Sequence, residues 1–342
     1  MNLLFYFIFI FFILFSNISY SNKLFETSSV NVKFINENID DFKNKKIDEV
    51  KYLTLDLIFN KILLKKNYNN LKRNLDIDFA NIFIKNIIIN NEKIINNSYS
   101  ADIKINYNKK LILDYLRLNK IPYVEEIPKN YLTIIYFKND YNKHMLTKNN
   151  KYYEFLINKS YNFYFIPDLS INDRYLLDFK DIENLDVNKI NNFKNKYNNI
   201  ETIIFKIQES NNIYEIEYYL VNKKNLYLIE KTRFDNHLSD NFFIKIQDNI
   251  IDKWKEFNLI QNEYLNYLTC KIHYLNLLEL KKIKSIINSI SLTHKIELIK
   301  MSYNVNTYNL EYYGNNDILV GLLNANRIRL KYENENCNIK LL

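Results

Sequence analysis

The alternation of apolar and polar residues predicts where most strands of this chain lie. Three runs, Thr202–Gln208, Ile213–Val221 and Leu226–Thr232, alternate in this way, and Asn211-Asn212 and Lys223-Lys224 lie at the turns between them. This arrangement is typical of consecutive antiparallel strands. Further strands are predicted at Val30–Phe34, 82–96, 98–107 and Tyr131–Phe137.

Helical periodicity between the strands predicts a mixed chain of three modules. In Leu277–Ile290, the residues Leu278, Ile283, Ile286 and Ile287 recur at the spacing of one buried helix face. In the C-terminal module this helix stands in the order βαββαβ with an extra strand, which is typical of a ferredoxin-like fold. We therefore predict an α+β fold of three small mixed α/β modules in series. Their predicted bounds are 22–144 for the N-terminal α+β domain, 145–262 for the central α/β domain and 263–342 for the C-terminal ferredoxin-like domain.

The first residues of the chain carry the clearest physical signal. Leu3–Phe15 is a continuous apolar run, too short for a typical membrane-spanning helix but suited to the hydrophobic region of a secretory signal peptide. Ser19 and Ser21 lie at the −3 and −1 positions of a cleavage site before Asn22, so residues 1–21 are predicted to be removed. No Lys or Arg precedes the run, which leaves an uncleaved N-terminal anchor as the alternative. We expect a periplasmic protein without a membrane span after cleavage or, in the alternative, one anchored in the inner membrane.

Composition excludes several classes of function. The chain has 2 Gly, so it cannot form a Gly-rich phosphate-binding loop, and its 4 His and 2 Cys are too few for Cys/His zinc modules. The net charge of +8 favours anionic partners, but the charges are interspersed, and the Lys and Asn content fits an AT-rich coding sequence. Arg, which suits bidentate contacts with phosphate and guanine, is rare. We therefore expect no nucleic-acid partner, and an anionic wall polymer stays open.

The two cysteines, Cys270 and Cys337, both lie in predicted strands of the C-terminal module. Export brings them into an oxidising compartment, where a disulfide can form. The alternative is a pair of buried free thiols, and the sequence does not decide between the two. No C-x-x-C spacing occurs, so we expect no catalytic use of either thiol.

Four segments spread along the chain carry a family resemblance. They are the helix around Lys45–Leu64, the strand–helix–Ile-Pro–strand segment 100–137, the Pro-Asp element 164–174 and the helix with terminal hairpin at 311–341. Together they resemble the bacterial envelope family known as domain of unknown function 2066, over nearly the whole mature chain. Asn takes the place of the family's Gly in several turns, and Cys337 stands where relatives often carry Trp. The resemblance implies an exported proteobacterial protein, and it implies no known activity, cofactor or catalytic residue.

The best candidates for chemistry are carboxylates. Asp168, Asp173, Asp178 and Asp181 are close in sequence, as the ligands of a hard cation such as Ca²⁺ or the acids of a hydrolase can be. They lack the spacing of an EF-hand, so we expect Asp168 and Asp173 to cap turns or helices instead. The adjacent pair Glu125-Glu126 is expected to lie in a solvated loop.

The remaining polar candidates are scattered. No serine stands in a G-x-S-x-G elbow, and no histidines have the spacing of metal ligands. The 29 Tyr and 23 Phe are expected mainly to fill the core. We therefore predict no catalytic, cofactor-binding or metal-binding residue and no cofactor. The histidines and serines in question are His144, His237, His273, His294, Ser160, Ser170 and Ser302.

Three functional hypotheses are consistent with these patterns. The first is a non-enzymatic interaction or scaffold protein of the cell envelope, whose partner is an unidentified envelope protein. The second is a cell-wall-modifying hydrolase that uses the carboxylates near 168–181, which requires a cleft with an Asp of perturbed pKa. The third is Lys-mediated binding of an anionic envelope polymer, which requires sensitivity to salt. We prefer the first, because small modules without a catalytic motif suit the docking of a partner.

Overall fold

The computed structural model describes a mixture of helices and sheets, which confirms the α+β class. It divides into two compact units, Met1–Ile58 with Leu75–Ile112 and Phe59–Asn74 with Leu113–Leu342. The predicted signal peptide, 1–21, and its cleavage site between Ser21 and Asn22 lie outside the described residues. The described residues are 25, 27–125, 127–159, 161–211, 213–222, 225–235, 241–261, 265–333 and 335–342.

A β-hairpin and a long helix dominate the N-terminal part of the chain. Its elements are β1 (Val30–Ile35), α1 (Ile39–Ile62), α2 (Lys65–Lys72), α3 (Ile77–Phe83), β2 (Ile84–Ile95), β3 (Ser98–Tyr107) and α4 (Lys109–Leu118). The strands form an antiparallel sheet in the order β1-β3-β2. Ala101, Ile103 and Ile105 are buried, because alternate residues of β3 face the same side. Asn96 closes the predicted hairpin with a φ of 50°, a left-handed conformation that Asn tolerates better than most residues.

The central part of the chain forms one mixed sheet with helices. Its elements are β4 (Tyr131–Lys138), β5 (Lys143–Met145), α5 (Lys151–Lys159), β6 (Tyr164–Phe165), α6 (Ile171–Leu176), α7 (Phe179–Glu183), α8 (Val187–Lys196), β7 (Thr202–Ser210), β8 (Ile213–Asn222), β9 (Asn225–Asp235), α9 (Phe242–Lys245) and α10 (Gln247–Asn258). The strand order is β5-β4-β7-β8-β9, and β6 also pairs with β4. The three strands β7, β8 and β9 are the ones that the alternation predicts.

Strand β4 lies in this central sheet, although the sequence places it in the N-terminal module. It pairs in parallel with β7, and the predicted boundary between 144 and 145 falls inside its other neighbour, β5. The reason is burial: seven of the eight residues of β4 are buried, so the strand needs cover on both faces and a neighbour on each edge. The predicted boundaries at 144/145 and 262/263 both fall within the second compact unit.

Aromatic side chains fill the core beneath this sheet, as the composition predicts. Phe243 packs against Tyr164 and Phe205 with ring centroids 5.7 and 5.3 Å apart. The buried hydroxyl of Tyr153 accepts a hydrogen bond from the backbone N–H of Ile135 at 2.8 Å. It also donates to the carbonyl of Thr133 at 3.1 Å, so this buried polar group is satisfied.

The C-terminal part of the chain has the strand directions of a ferredoxin-like fold with one inserted strand. Its elements are β10 (Leu265–His273), α11 (Leu277–Ser289), β11 (Thr293–Lys300), β12 (Val305–Tyr313), α12 (Asn316–Ala325), β13 (Ile328–Glu333) and β14 (Asn336–Leu341). The sheet order is β11-β12-β10-β14-β13. The extra strand β14 lies between β10 and β13 rather than at an edge; it is parallel to β10 and antiparallel to β13.

Helix α11 buries a different set of residues from the predicted one. Leu280, Ile283 and Ile287 are buried, whereas Leu278 is exposed, so the prediction that Leu278 faces inward is wrong. Leu278 lies in the first turn of the helix, and the buried positions begin two residues later, at Leu280. Among the described residues, no helix combines the length and the apolar composition that a membrane span requires.

Candidate interaction surface

The carboxylates near 168–181 serve structural roles. Asp173 and Ser170 form a capping box at the start of α6, and Asp178 and Asp181 form another at the start of α7. In a capping box, side-chain oxygens satisfy backbone N–H groups that have no partner within the helix. The capping prediction is therefore confirmed for Asp173, whereas Asp168 forms an ion pair with Lys196 at 2.9 Å.

Asp173 is also the centre of a buried charge clamp. One carboxylate oxygen accepts from Lys196 Nζ at 2.6 Å and from the Tyr197 hydroxyl at 2.7 Å. Burial acts to raise the pKa of Asp173, but the hydrogen bonds from Lys196, Tyr197 and the Ser170 backbone together hold it below the usual value. Such a carboxylate stays ionised, and its oxygens already accept hydrogen bonds from three donors. It is therefore poorly suited to act as a general acid or to bind a cation.

Glu125 is buried, so the expectation of a solvated loop is wrong for this residue; Glu126 lies outside the described residues. The Glu125 carboxylate accepts a hydrogen bond from the Ser291 hydroxyl. Glu125 borders a cavity of about 190 Å³ together with Trp254, Asp317 and Gly321. The indole nitrogen of Trp254 is buried without a hydrogen-bond partner among the described residues. The cavity is small and partly open, and Asn222, Asn258 and Asn315 also line it.

The histidines and serines that the structure describes are dispersed, as the sequence predicts. His144 stacks on Phe137, His273 contacts the side-chain oxygen of Asn338 at 3.2 Å, and His294 meets the ring of Tyr313. His237 and Ser160 lie outside the described residues, and Ser170 caps α6 while Ser302 lies in the β11–β12 turn. Within the part of the chain that the structure describes, no three His, Cys, Asp or Glu residues form a group that could hold a metal ion.

Cys270 and Cys337 are joined in a disulfide between neighbouring strands. They stand directly opposite each other in the parallel pairing of β10 and β14, with Cα atoms 4.4 Å apart. This separation lies at the short end of the range found for disulfides. Both cysteines are buried. Because they pair directly across the two strands, the bond fixes the register of the inserted strand.

Exposed apolar side chains gather at one end of the C-terminal sheet. Two connections meet there, the one from β10 to α11 and the turn from β11 to β12, because the Tyr274 N–H donates to the Asn304 carbonyl at 3.1 Å. We call this surface the C-terminal tip. Its seven large apolar residues are between 48% and 93% exposed. They are Leu275, Leu277, Leu278, Leu298, Ile299, Met301 and Tyr303.

Local structure explains why these side chains point outward. Strand β11 is an edge of the sheet, and its pairing with β12 shifts register between Leu298 and Lys300. Such an irregularity breaks the two-sided alternation, so the neighbours Leu298 and Ile299 are both exposed. Leu277 and Leu278 begin α11, where Asn276 supplies the N-cap by accepting from the Glu279 N–H at 2.9 Å.

Basic residues surround the apolar part of the tip. Between Tyr274 and Asn304 the chain carries five lysines and two glutamates, a net charge of +3. Glu297 pairs with Lys295, and Glu279 accepts a hydrogen bond from the Leu275 N–H at 2.7 Å. Three exposed lysines, Lys281, Lys282 and Lys300, form no ion pair with any residue that the structure describes. The tip therefore combines apolar contact area with unneutralised positive charge.

The sequence patterns did not single out this surface, although they contain its signal. The consecutive apolar pairs Leu277-Leu278 and Leu298-Ile299 interrupt the helical and strand periodicities. Neither pair looks unusual by itself. They become one surface only because β10, β11 and β12 bring the two connections to the same end of the sheet.

No protein-family model matches this chain, and no curated protein or solved structure matches it. The resemblance to domain of unknown function 2066 therefore stays a prediction.

Proposed function

We propose that this chain is an exported, non-enzymatic interaction protein of the bacterial cell envelope that docks through the C-terminal tip. The observation that carries the proposal is the exposure of seven large apolar side chains on two adjacent connections and on the ends of α11 and β11 that border them. Single exposed apolar residues are common, but a contiguous exposed group usually marks a surface that another molecule covers. Membership of the family of unknown function 2066 and the periplasmic location are part of this proposal.

The carboxylate chemistry supports the interaction role over the hydrolase alternative. Three of the four aspartates considered for catalysis hydrogen-bond to backbone N–H groups at helix starts. Asp168, the fourth, is paired with Lys196. A hydrolase built on these residues would have to release them from the caps and the clamp that stabilise α6 and α7.

A crosslinking experiment in the producing cells tests the proposal. A photoreactive amino acid replaces Tyr303 in the full chain, and in a control it replaces Tyr141; these tyrosines are 93% and 91% exposed, and both lie in turns. We expect light-dependent adducts to envelope components at position 303 and far fewer at position 141. Equal adducts at the two positions, or none at 303, would contradict docking through the tip. Recovery of the protein only from the cytoplasm would contradict export.

A further inference from the structure

We propose that the C-terminal tip binds the surface of an anionic phospholipid bilayer. Its leucines, Ile299, Met301 and Tyr303 enter the boundary between headgroups and acyl chains, while Lys281, Lys282 and Lys300 face lipid phosphates. This inference rests on the proposed function, because it names the partner of the same surface.

The chemistry of the tip matches a lipid surface. Peripheral anchoring requires two signals together, apolar insertion and electrostatic attraction to anionic headgroups. Both signals occur here on the two connections and the ends of α11 and β11 that border them. Lys281 follows Leu277 and Leu278 by one helical turn, and Lys300 stands between Ile299 and Met301. Long lysine side chains can keep their ammonium groups at the phosphate level while their stems lie along the apolar region.

Both backbone polar groups of Ser302, in the β11–β12 turn, have hydrogen-bond partners within the protein. The Ser302 N–H donates to the side-chain oxygen of Asn306 at 3.3 Å, and the Ser302 carbonyl accepts from the Val305 N–H and the Tyr274 hydroxyl, both at 3.4 Å. Asn306 is itself buried, so it is a fixed partner. In a lipid environment, backbone polar groups need partners within the protein, and a turn that already has them loses less on insertion.

The position of the apolar residues also favours a bilayer over a small ligand. Small-molecule sites are concave and enclose their ligands. The tip residues lie instead on connections and element ends at one end of a sheet, with exposures up to 93% for Tyr303. A second copy of the chain, paired along the edge strand β11, is the competing occupant that the experiment must separate.

Vesicle cosedimentation tests the inference with the purified mature protein. The two vesicle types are phosphatidylglycerol mixed with phosphatidylethanolamine, and phosphatidylcholine alone. We expect binding to the first type, weaker binding to the second, and a loss of binding as salt rises from 0.05 to 0.5 M, because the Debye length shortens from above about 10 Å toward about 3 Å. Equal binding to both vesicle types would overturn the electrostatic part of the inference, and no binding to either would overturn all of it.

Paired substitutions link the binding to the tip. L277A/L278A should weaken vesicle binding at least about tenfold, because each change removes apolar area that enters the bilayer. Its control is L118A/I171A, which removes apolar side chains of similar exposure outside the tip. Leu118 and Ile171 are 83% and 63% exposed, compared with 67% and 77% for Leu277 and Leu278. K281Q/K282Q should weaken binding about 25-fold at low salt, at about fivefold for each lysine near an anionic surface. Its control is K180Q/K189Q; both controls should stay within about twofold of the parent protein.

The outcomes separate this inference from the proposed function. If position 303 crosslinks to one protein in cells and the purified chain does not bind vesicles, the lipid inference fails and the docking function stands. If sedimentation velocity shows a dimer that L277A/L278A abolishes, and vesicles are not bound, the occupant is a second copy. If the tip variants change neither vesicle binding nor crosslinking at 303, both proposals fail.

Discussion

The charge clamp on Asp173 allows one prediction to be worked out in detail. The substitution Asp173→Asn keeps the size of the side chain and removes its charge. Three donors surround the carboxylate: Lys196 at 2.6 Å, the Tyr197 hydroxyl at 2.7 Å and the Ser170 N–H at 3.0 Å. An amide has one accepting oxygen, so in either orientation its NH₂ group faces at least one of these donors.

The magnitude follows from these contacts. A hydrogen bond to a charged group contributes about 1.5–3 kcal/mol and a neutral one about 1 kcal/mol, so losing one bond and weakening the others costs about 3 kcal/mol. This is at the low end for breaking a buried ion pair, because Lys196 is partly exposed and partly screened. For a cooperative unit of this size, the melting temperature should fall by about 6–12 °C.

The assay is urea and thermal unfolding, followed by circular dichroism and by the fluorescence of the single tryptophan, Trp254. Asp181→Asn is the matched control. Asp181 occupies the same position in its capping box and accepts from the Asp178 N–H at 2.9 Å, but it pairs with no lysine among the described residues. We expect the control to lose less than about 1 kcal/mol. If both variants lose the same small amount, the clamp contributes nothing beyond the cap, and the reasoning is refuted.

The same clamp predicts a pH dependence. The folded-state pKa of Asp173 lies below the value of about 3.9 expected in the unfolded chain. Its stabilising contribution is therefore fully present above that value and is lost as the pH falls through the folded-state pKa. The hydrogen bonds that Lys196 donates to Asp173 and to Asp168 raise the pKa of Lys196, so the interaction also persists up to the pKa of an ordinary lysine. The difference in stability between the parent and Asp173→Asn should be constant from about pH 5 to pH 9 and shrink below about pH 4.

Two further predictions concern glycine and the disulfide. Gly314→Ala should destabilise the protein by about 1–2 kcal/mol. Gly314 has a φ of 81°, a left-handed conformation in which a Cβ atom is sterically strained. Gly321→Ala, inside α12 with open space around an added Cβ, should stabilise the protein by about 0.5–1 kcal/mol in the same urea titration. If both substitutions change the free energy of unfolding in the same direction, the prediction is contradicted. Cys270→Ala with Cys337→Ala should lower stability by about 4 kcal/mol, since the bond closes a loop over 67 positions. Reductant should destabilise the parent similarly and leave the double variant unchanged, and a parent protein insensitive to reductant would contradict the prediction.

The parts of the fold that depend on neighbouring residues could be predicted from the sequence. Strands β7, β8 and β9 were predicted within about three residues of their ends, because their alternation and turn residues are local signals. Helix α11 starts at the predicted Leu277 and ends one residue before the predicted Ile290. In these three strands and in α11, the spacing of apolar residues indicates the type of element.

The features that depend on distant residues could not be predicted. The apolar run of β4 does not say which strand pairs with it, and the pairing with β7 bridges about 70 positions. The buried carboxylate of Glu125 accepts a hydrogen bond from Ser291, which is 166 positions away. The short helices α6 and α7 have caps but too few turns for a periodicity to show. The tip depends on which connections the sheet places together.

The insertion of β14 between β10 and β13 also has a consequence for biosynthesis. Strand β10 is central in its sheet, yet one of its two neighbours is synthesised after all the other strands of that sheet. Until β14 emerges from the ribosome or from a translocation channel, β10 presents an open hydrogen-bonding edge and an unpaired Cys270.

A chain that stops before Asn336 would keep that open edge and that thiol permanently, because it lacks both β14 and Cys337. Open edges promote pairing with other chains, and free thiols promote mixed disulfides. The position of one strand thus gives a protease or a thiol oxidoreductase a chemical means of distinguishing unfinished copies from finished ones.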